Sequence, residues 1–217
     1  QSGMGHAITI NATLRCDKIT IDDGTQTEYS VSGTPVDCVK LAVNQILDRK
    51  PNLCVSGINH GSNSSINVIY SGTMSAAIEG AIENIPSIGF SLLDFDTDAD
   101  FDASIHFARK ISQLVLENGI PKGTCLNVNI PKDSLKDIKG IKISRQGQVF
   151  WEDSFDKRTD PFGNEYYWLS GDCTVKDNKE DTDLWALDHN FVSVVPSQFD
   201  MTAHHLITDL NKWELNK

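Results

Sequence analysis

Apolar residues recur at two spacings along this chain, and the spacing predicts which segments are strands and which are helices. Short apolar or β-branched runs indicate strands, whereas apolar residues three and four positions apart indicate amphipathic helices. The predicted strands are 7–14, 19–22, 26–31, 53–55, 85–92, 125–130, 141–144, 166–169 and 191–195. The predicted helices are 34–47, 74–82, 98–118 and 201–215.

The order of these elements predicts the fold class. Strands alternate with helices up to residue 130, which is typical of an open α/β sheet with parallel strands and right-handed crossovers. After Gly140 the pattern changes to short strands, aromatic residues and many charges, which indicates an antiparallel arm. We therefore divide the chain into an α/β core (1–139), a β extension or oligomerisation arm (140–180), and a returning strand with a C-terminal helix (181–217).

Two adjacent acidic residues, Asp22 and Asp23, stand directly before Gly24. Neighbouring carboxylates can hold a divalent metal, but Asp-Gly is also a dipeptide that tight hairpin turns prefer. The strands predicted on either side of the pair favour the turn. We interpret the two aspartates as the polar tip of a hairpin.

Composition excludes several classes of protein. The net charge of −11 and the lack of a basic run argue against a nucleic-acid polymer as partner. No segment has the ~18 consecutive apolar residues that would span a bilayer, so we expect no membrane partner. Five cysteines without a CxxC spacing indicate a reducing compartment, and we predict a cytoplasmic protein without structural zinc.

Candidate chemistry lies in the polar loop that follows the strand at 53–55. Because ligands of open α/β sheets bind beyond the carboxyl ends of the strands, this loop is well placed. Ser71, Gly72 and Thr73 open the next helix, where free N–H groups and the helix dipole favour a phosphate. Asn59 offers an amide oxygen that suits Mg²⁺. The alternative is that Thr73 simply caps the helix and the glycines form turns.

The same loop carries a family resemblance. The sequence VSGINHGSN followed by VIYSGTMSAAIEG resembles the signature loop of the SurE family, the survival-protein nucleotidases. Three more segments resemble the family in the same order: SGMGHAIT, SGTPVDCVKLAV and TDLWALDHNFVSVVP. The resemblance covers essentially the whole chain.

Membership of this family would imply a fold and an activity. The implied fold is a Rossmann-like three-layer α/β/α architecture with a mainly parallel sheet and an antiparallel β extension that reaches across a dimer. The implied enzyme is a 5′-nucleotidase that uses Mg²⁺ or Mn²⁺ to hydrolyse nucleoside monophosphates, and in some members short polyphosphate. We accordingly expect a homodimer or homotetramer.

The resemblance also implies site residues. The family holds its metal with two aspartates of an NDDG motif, with the serine of an SG loop and with the asparagine of an SGIN loop. Ser2 and Asn59 match the last two of these ligands. The residues that match phosphate-binding positions are Ser71, Gly72, Thr73 and Asn63. No residue of the chain is assigned as catalytic, because Ser71 has no paired base to activate it.

The chain departs from the family pattern in two places. The NDDG motif belongs upstream of the SG loop, so Asp22 and Asp23 cannot be it. An opening strand and helix of roughly thirty or more residues would then be missing. We expect this chain alone to bind metal poorly and to be inactive or to aggregate, and the full-length protein to be active. Ser64, Ser65 and Asn67 replace the apolar residue, glycine and acidic residue that the family usually has.

The leading hypothesis is metal-assisted hydrolysis of a phosphomonoester. Two alternatives stay open: a non-catalytic nucleotide-binding module that has lost its metal, and a subunit whose arm serves mainly assembly. His6 and His60 flank matched residues and could donate to a phosphate, but we interpret both as solvated loop histidines.

Overall fold

The computed structural model describes residues 3–213. Within that range the strands are β1 (Cys16–Ile19), β2 (Glu28–Val31), β3 (Cys54–His60), β4 (Ser87–Leu92), β5 (Thr124–Ile130), β6 (Gly140–Ile143), β7 (Gln148–Thr159), β8 (Glu165–Asp177) and β9 (Phe191–Gln198). The α-helices are α1 (Pro35–Leu41), α2 (Gly72–Ile82), α3 (Asp102–Asn118), α4 (Asp183–Asp188) and α5 (His204–Leu210). A π-helical turn (Ala42–Ile46) extends α1, and a 3₁₀ helix (Ser65–Tyr70) precedes α2.

Five strands form the main sheet in the order β3-β4-β5-β9-β6. The strands β3, β4 and β5 are mutually parallel, β9 is antiparallel to β5, and β6 is parallel to β9. The sheet is therefore mixed, with one antiparallel pairing. This arrangement confirms the predicted α/β class with a mainly parallel sheet.

Helices cover both faces of the sheet, as the alternation of residues along β4 shows. Ile88 and Phe90 belong to the apolar cluster that also contains Phe107 of α3. Gly89 points to the other face, where a side chain at its position would collide with Met74 of α2. Because successive strand residues face opposite sides, α2 and α3 lie on opposite faces and the architecture has three layers.

The start of α1 is fixed by a capping box at Thr34, the residue at which the predicted helix 34–47 begins. The hydroxyl of Thr34 accepts from the Asp37 N–H at 3.1 Å, and the Asp37 carboxylate accepts from the Thr34 N–H at 2.8 Å. Asp37 also accepts from the N–H and hydroxyl of Thr9 at 3.0 and 2.6 Å. Burial alone would raise the pKa of Asp37, but the hydrogen bonds from Thr9 and Thr34 lower it to about 2.

That carboxylate explains one wrong prediction. Residues 7–14 were expected to form a strand, yet they form none. The Thr9 N–H instead donates to the Asp37 carboxylate, and the Thr34 hydroxyl donates to the carbonyl of Ala7 at 2.7 Å. Because these N–H and carbonyl groups are hydrogen bonded to side chains, they are not available to pair with a neighbouring strand.

Asp22 and Asp23 lie in the exposed loop between the paired strands β1 and β2, as the turn interpretation predicted. The Asp22 carboxylate accepts from the Gly24 N–H at 2.7 Å, which closes the local turn. The turn therefore accounts for Asp22 without any metal.

The antiparallel arm is a long hairpin in which β7 and β8 pair from Gln148↔Asp177 to Thr159↔Glu165. The sequence predicted only one short strand, 166–169, in this hairpin and did not predict β7. β6, which the sequence division placed at the start of the extension, instead hydrogen bonds to β9 in the main sheet. The sequence analysis also missed α4, a short helix that begins at the cap residue Thr182.

No helix among residues 3–213 is long and apolar enough to cross a membrane.

Candidate active site

A cleft of about 240 Å³ opens where β3 and β4 end and α2 begins. Its lining residues in the described chain are Gly3, Asn59, His60, Gly61, Ser62, Asn63, Asn67, Tyr70, Ser71 and Phe95. The carboxyl ends of parallel strands are the usual place for ligands in such sheets. Three residues that the sequence predicted, Asn59, Asn63 and Ser71, therefore line one cavity.

Asn59 stands near the end of β3 with its amide held in one orientation. The side-chain N–H groups donate to the backbone carbonyls of His60 and Gly61, both at 2.9 Å. Those bonds occupy the nitrogen and leave Oδ1 as an acceptor of fixed direction. A fixed neutral oxygen is a suitable ligand for a hard cation such as Mg²⁺.

A break in the β3–β4 register directs Asn59 to the cleft. The register shifts between Ser56 and Asn59. Gly57, within the shift, has φ of 115°, and a side chain there would collide with the carbonyl oxygen of Phe90. Only glycine tolerates both the dihedral and the close approach. The sequence analysis took this stretch for a loop, because glycine and polar residues interrupt the apolar run.

Asn63 is buried and is held by a layer of polar residues beneath the cleft. Its side-chain N–H donates to the hydroxyl of Ser91 at 2.7 Å, and its backbone N–H donates to Asn129 Oδ1 at 2.8 Å. Asn127 donates to the Asn63 carbonyl at 2.8 Å and accepts from Asn129 at 2.9 Å. Asn63 therefore has a structural role in fixing the loop, besides lining the cleft.

The asparagines of β5 were missed by the sequence analysis, although a signal was present. Asn127 and Asn129 are fully buried and share one face of a strand that otherwise reads as apolar, CLNVNI. Buried polar side chains must be hydrogen bonded. Two asparagines spaced two positions apart in a central strand therefore indicate that polar groups pack against that face.

Ser71 caps α2 and lies at the base of the cleft. Its hydroxyl accepts from the Met74 N–H at 3.0 Å, so its own O–H hydrogen is left to donate to a ligand. The cap is thus Ser71 and not Thr73, which corrects the alternative considered above. Gly72 and Thr73 form the first turn of α2, where the backbone N–H groups have no intrahelical acceptor. They lie beside the cleft, outside its lining.

The loop that carries the cleft is tied to the hairpin by Asp183, a fully buried residue of α4. One carboxylate oxygen accepts from the Ser65 N–H at 2.7 Å, and the other accepts from the N–H groups of Gly147 and Leu184 at 2.7 and 2.8 Å. The carboxylate of α4 therefore joins two distant segments, one at Ser65 and one at Gly147.

Ser65 adapts to a backbone shape that favours glycine. Its φ is 55°, in the left-handed region that glycine adopts most readily. Its hydroxyl donates to the Gly147 carbonyl at 2.9 Å and accepts from the Val149 N–H at 3.2 Å. Those two bonds join the cleft loop to the start of β7 and offset the cost of the dihedral.

His6 lies in a loop and is exposed, as the sequence predicted, but it also makes a contact that the sequence did not indicate. Its Nε2 lies 2.8 Å from a carboxylate oxygen of Glu79, a buried residue of α2, and Lys40 lies 2.6 Å from the other oxygen. The hydrogen bond to Glu79 raises the pKa of Lys40. The contact between His6 and Glu79 holds the segment near Gly3 against α2. His60 is exposed, lines the cleft, and packs edge-on against Phe101.

Ser2 lies outside the described residues. Among residues 3–213, no group of three or more histidine, cysteine, aspartate or glutamate side chains is arranged to hold a metal ion. Of the two predicted metal ligands, Ser2 and Asn59, the structure describes the surroundings of Asn59.

Comparisons with known proteins identify related sequences and a related structure. The family model described as "Survival protein SurE" matches residues 1–153. The 5′-nucleotidase SurE of Flavobacterium johnsoniae is 65% identical over 100% of this chain and 83% of its own length. The 5′-nucleotidase SurE of Chlorobaculum tepidum is 46% identical over 99% of this chain and 81% of its own.

A crystal structure of the SurE protein from Aquifex aeolicus shares the fold. It superimposes with a TM-score of 0.81 at 39% sequence identity, and the match covers 97% of this chain and 83% of that one.

Proposed function

The chain belongs to the SurE family of survival proteins, and we propose that its cleft carries out the 5′-nucleotidase reaction for which its relatives are named. The protein hydrolyses nucleoside monophosphates to nucleoside and phosphate. The observation that carries this conclusion is that Asn59 and Ser71 line the same cleft, at the carboxyl ends of β3 and β4 and the N-terminus of α2. A cation ligand and a phosphate donor thus face one space.

The phosphate is held at the start of α2. The Ser71 hydroxyl and the N–H groups of Gly72 and Thr73 are the donors, and the positive end of the helix dipole favours the anion. Asn63 supports this arrangement by fixing the loop opposite. Donors that are already in position stabilise the charge that develops on the phosphoryl oxygens without further reorganisation.

The reaction depends on a divalent metal, as in the SurE family, and we propose Mg²⁺ or Mn²⁺ as that metal. The surroundings of Asn59 fit such an ion, because its amide nitrogen is bonded to two carbonyls and its oxygen is left for a ligand. Ser2 is the second proposed ligand. The ion, when bound, polarises the phosphoryl oxygens and lowers the pKa of a bound water.

Phosphate release from AMP tests this function. In the full-length protein we expect inorganic phosphate to appear when Mg²⁺ or Mn²⁺ is present, to stop when EDTA is added, and to resume when the metal is restored. Short polyphosphate is a further candidate substrate in the same assay. Binding of AMP with no release of phosphate under any of these metals would favour a non-catalytic nucleotide-binding module instead.

We further propose that the protein assembles as a homodimer or homotetramer through the β7–β8 hairpin. Phe155 and Leu169 are directly opposite each other in the hairpin and therefore share one face. Each is 65% exposed. Apolar side chains on an exposed extension mark a surface that a partner covers.

A charge on that face should weaken the assembly. We expect Phe155→Asp to shift the protein toward a smaller species in light scattering, because a carboxylate is costly to bury at an apolar contact. Ser154→Asp adds the same charge to the opposite face and should leave the mass unchanged. An oligomer that survives Phe155→Asp at all concentrations would exclude this face as the interface.

A cytoplasmic location completes the proposal. All five cysteines are free, which suits a reducing compartment.

A further inference from the structure

An exposed aromatic ring lies at the cleft without a structural role that explains it. Phe95 follows β4, lines the cleft and is 81% exposed. A phenylalanine in water costs free energy that a covering apolar surface would recover. The ring lies against Gly61, where any side chain would collide with it. One part of the ring thus rests on the end of β3, and most of it is open.

The backbone that carries Phe95 is firmly held. The Gly61 N–H donates to the carbonyls of Leu92 and Asp94 at 2.8 and 3.0 Å, and the Leu93 N–H donates to Ile130 at 2.9 Å. On the other side of Phe95, the Asp96 N–H donates to the Asp94 carboxylate at 3.1 Å. The ring is therefore presented from an ordered turn. Because the turn is already ordered, the protein loses little conformational entropy when a ligand covers the ring.

A second exposed aromatic residue, Tyr70, lies in the same cleft directly before Ser71. Its carbonyl accepts from the Gly5 N–H at 3.1 Å, which fixes its backbone. The cleft thus has hydroxyl and N–H donors at the start of α2 and aromatic surface at Tyr70 and Phe95. A nucleotide has the same two ends, a phosphate and a flat base.

Each of the three asparagine amides at the cleft already has one of its two polar atoms engaged in a hydrogen bond. The nitrogen of Asn59 is bonded to two carbonyls, that of Asn63 donates to Ser91, and the oxygen of Asn67 accepts from the Trp151 ring nitrogen at 3.4 Å. An aromatic ring can stack on any base, because every base has a π-face, so stacking does not depend on the identity of the base. The cleft is accordingly better suited to stacking than to base-specific hydrogen bonding.

We propose that Phe95 is a specificity-determining residue that stacks on the nucleobase, so that the enzyme prefers nucleotides to base-free phosphomonoesters but discriminates little among bases. This inference rests on the proposed nucleotidase function and adds the means by which the substrate class is selected. Phe95 acts on binding of the base and takes no part in the chemistry at the phosphate.

Two substrates that differ only in the base test the proposal. AMP and ribose 5-phosphate share the phosphate and the sugar. In Phe95→Ala we expect kcat/KM for AMP to fall by about tenfold through KM, the size of one base–ring stack, while ribose 5-phosphate is unaffected. Phe95→Trp should keep the preference for AMP. Phe162→Ala removes an equally exposed ring from the hairpin and should change neither substrate.

Calorimetric titration with adenosine separates this proposal from the hydrolase function, because adenosine is bound without turnover. We expect Phe95→Ala to weaken adenosine binding by about tenfold. An equal loss for AMP and ribose 5-phosphate, or unchanged adenosine binding, would overturn the stacking role. Phe95-dependent adenosine binding in a wild-type protein that hydrolyses neither substrate would uphold stacking and contradict the nucleotidase function.

Discussion

Replacing Asp183 with alanine should lower the free energy of unfolding by about 4 kcal/mol, because two buried N–H groups and a partly buried one would lose their acceptor. Those groups belong to Ser65, Gly147 and Leu184, so the loss also frees the cleft loop from the base of the hairpin. Denaturant unfolding followed by fluorescence of the tryptophans measures the change.

Asp188 provides the matched control for that experiment. It lies at the end of the same helix, and its side chain is 72% exposed. Asp188→Ala should change the unfolding free energy by less than ~0.5 kcal/mol, as surface substitutions usually do. Asp183→Asn should fall between the two variants, because an amide keeps one acceptor. Equal stability of Asp183→Ala and Asp188→Ala would refute the proposed role of the buried carboxylate.

The second large effect concerns activity. We expect Asn59→Ala to lower kcat/KM for AMP by about 10²–10³-fold, the range seen when one positioned group is removed from an active site. The melting temperature should change little, because Asn59 is only half-buried. The concentration of Mn²⁺ needed for half-maximal rate should rise, since one ligand oxygen is lost. Phosphate release at varied Mn²⁺ measures both quantities.

Two variants sharpen the interpretation of that result. Asn59→Asp keeps an oxygen at the same place and should retain more activity than Asn59→Ala. Asn44→Ala removes an amide from the exposed turn after α1, where it donates to the Lys40 carbonyl, and should leave the rate unchanged. A metal requirement that is the same in Asn59→Ala and wild type would show that Asn59 does not bind the ion.

Local sequence patterns predicted the helices α1, α2 and α3, because the causes of these helices are local. The capping box at Thr34 and Asp37 marks the start of α1, and the spacing of apolar residues marks α2 and α3. The adjacent pair Asp22 and Asp23 was correctly interpreted as a turn, because the Asp-Gly dipeptide has a short-range reason.

Long-range side-chain bonds could not be predicted in this way. The bond from Ser65 to Asp183 joins residues 118 positions apart, and no spacing rule indicates it. The strand expected at 7–14 failed for the same reason, because Thr9 bonds to a carboxylate 28 positions away. The extension of β3 to His60 was missed because the close approach at Gly57 is visible only in three dimensions.

The candidate site was predicted in part. Asn59 and Ser71 were identified from a strand end, a glycine-rich loop and a helix start, together with the family resemblance. Phe95 and the asparagines of β5 were not, because one lies on a turn of unremarkable sequence and the others are hidden in an apolar strand. A glycine-rich loop that opens a helix has a sequence motif, whereas a single exposed ring and buried asparagines that fix a loop have none.

The location of a phosphate analogue in crystals of this protein tests the central claim most directly. Tungstate has the shape and charge of phosphate and scatters X-rays strongly enough to be placed without ambiguity. We predict that it lies within hydrogen-bonding distance of the Ser71 hydroxyl and the N–H groups of Gly72 and Thr73, in the cleft that Asn59 lines. Tungstate bound elsewhere, with that cleft empty, would contradict the assignment of the active site.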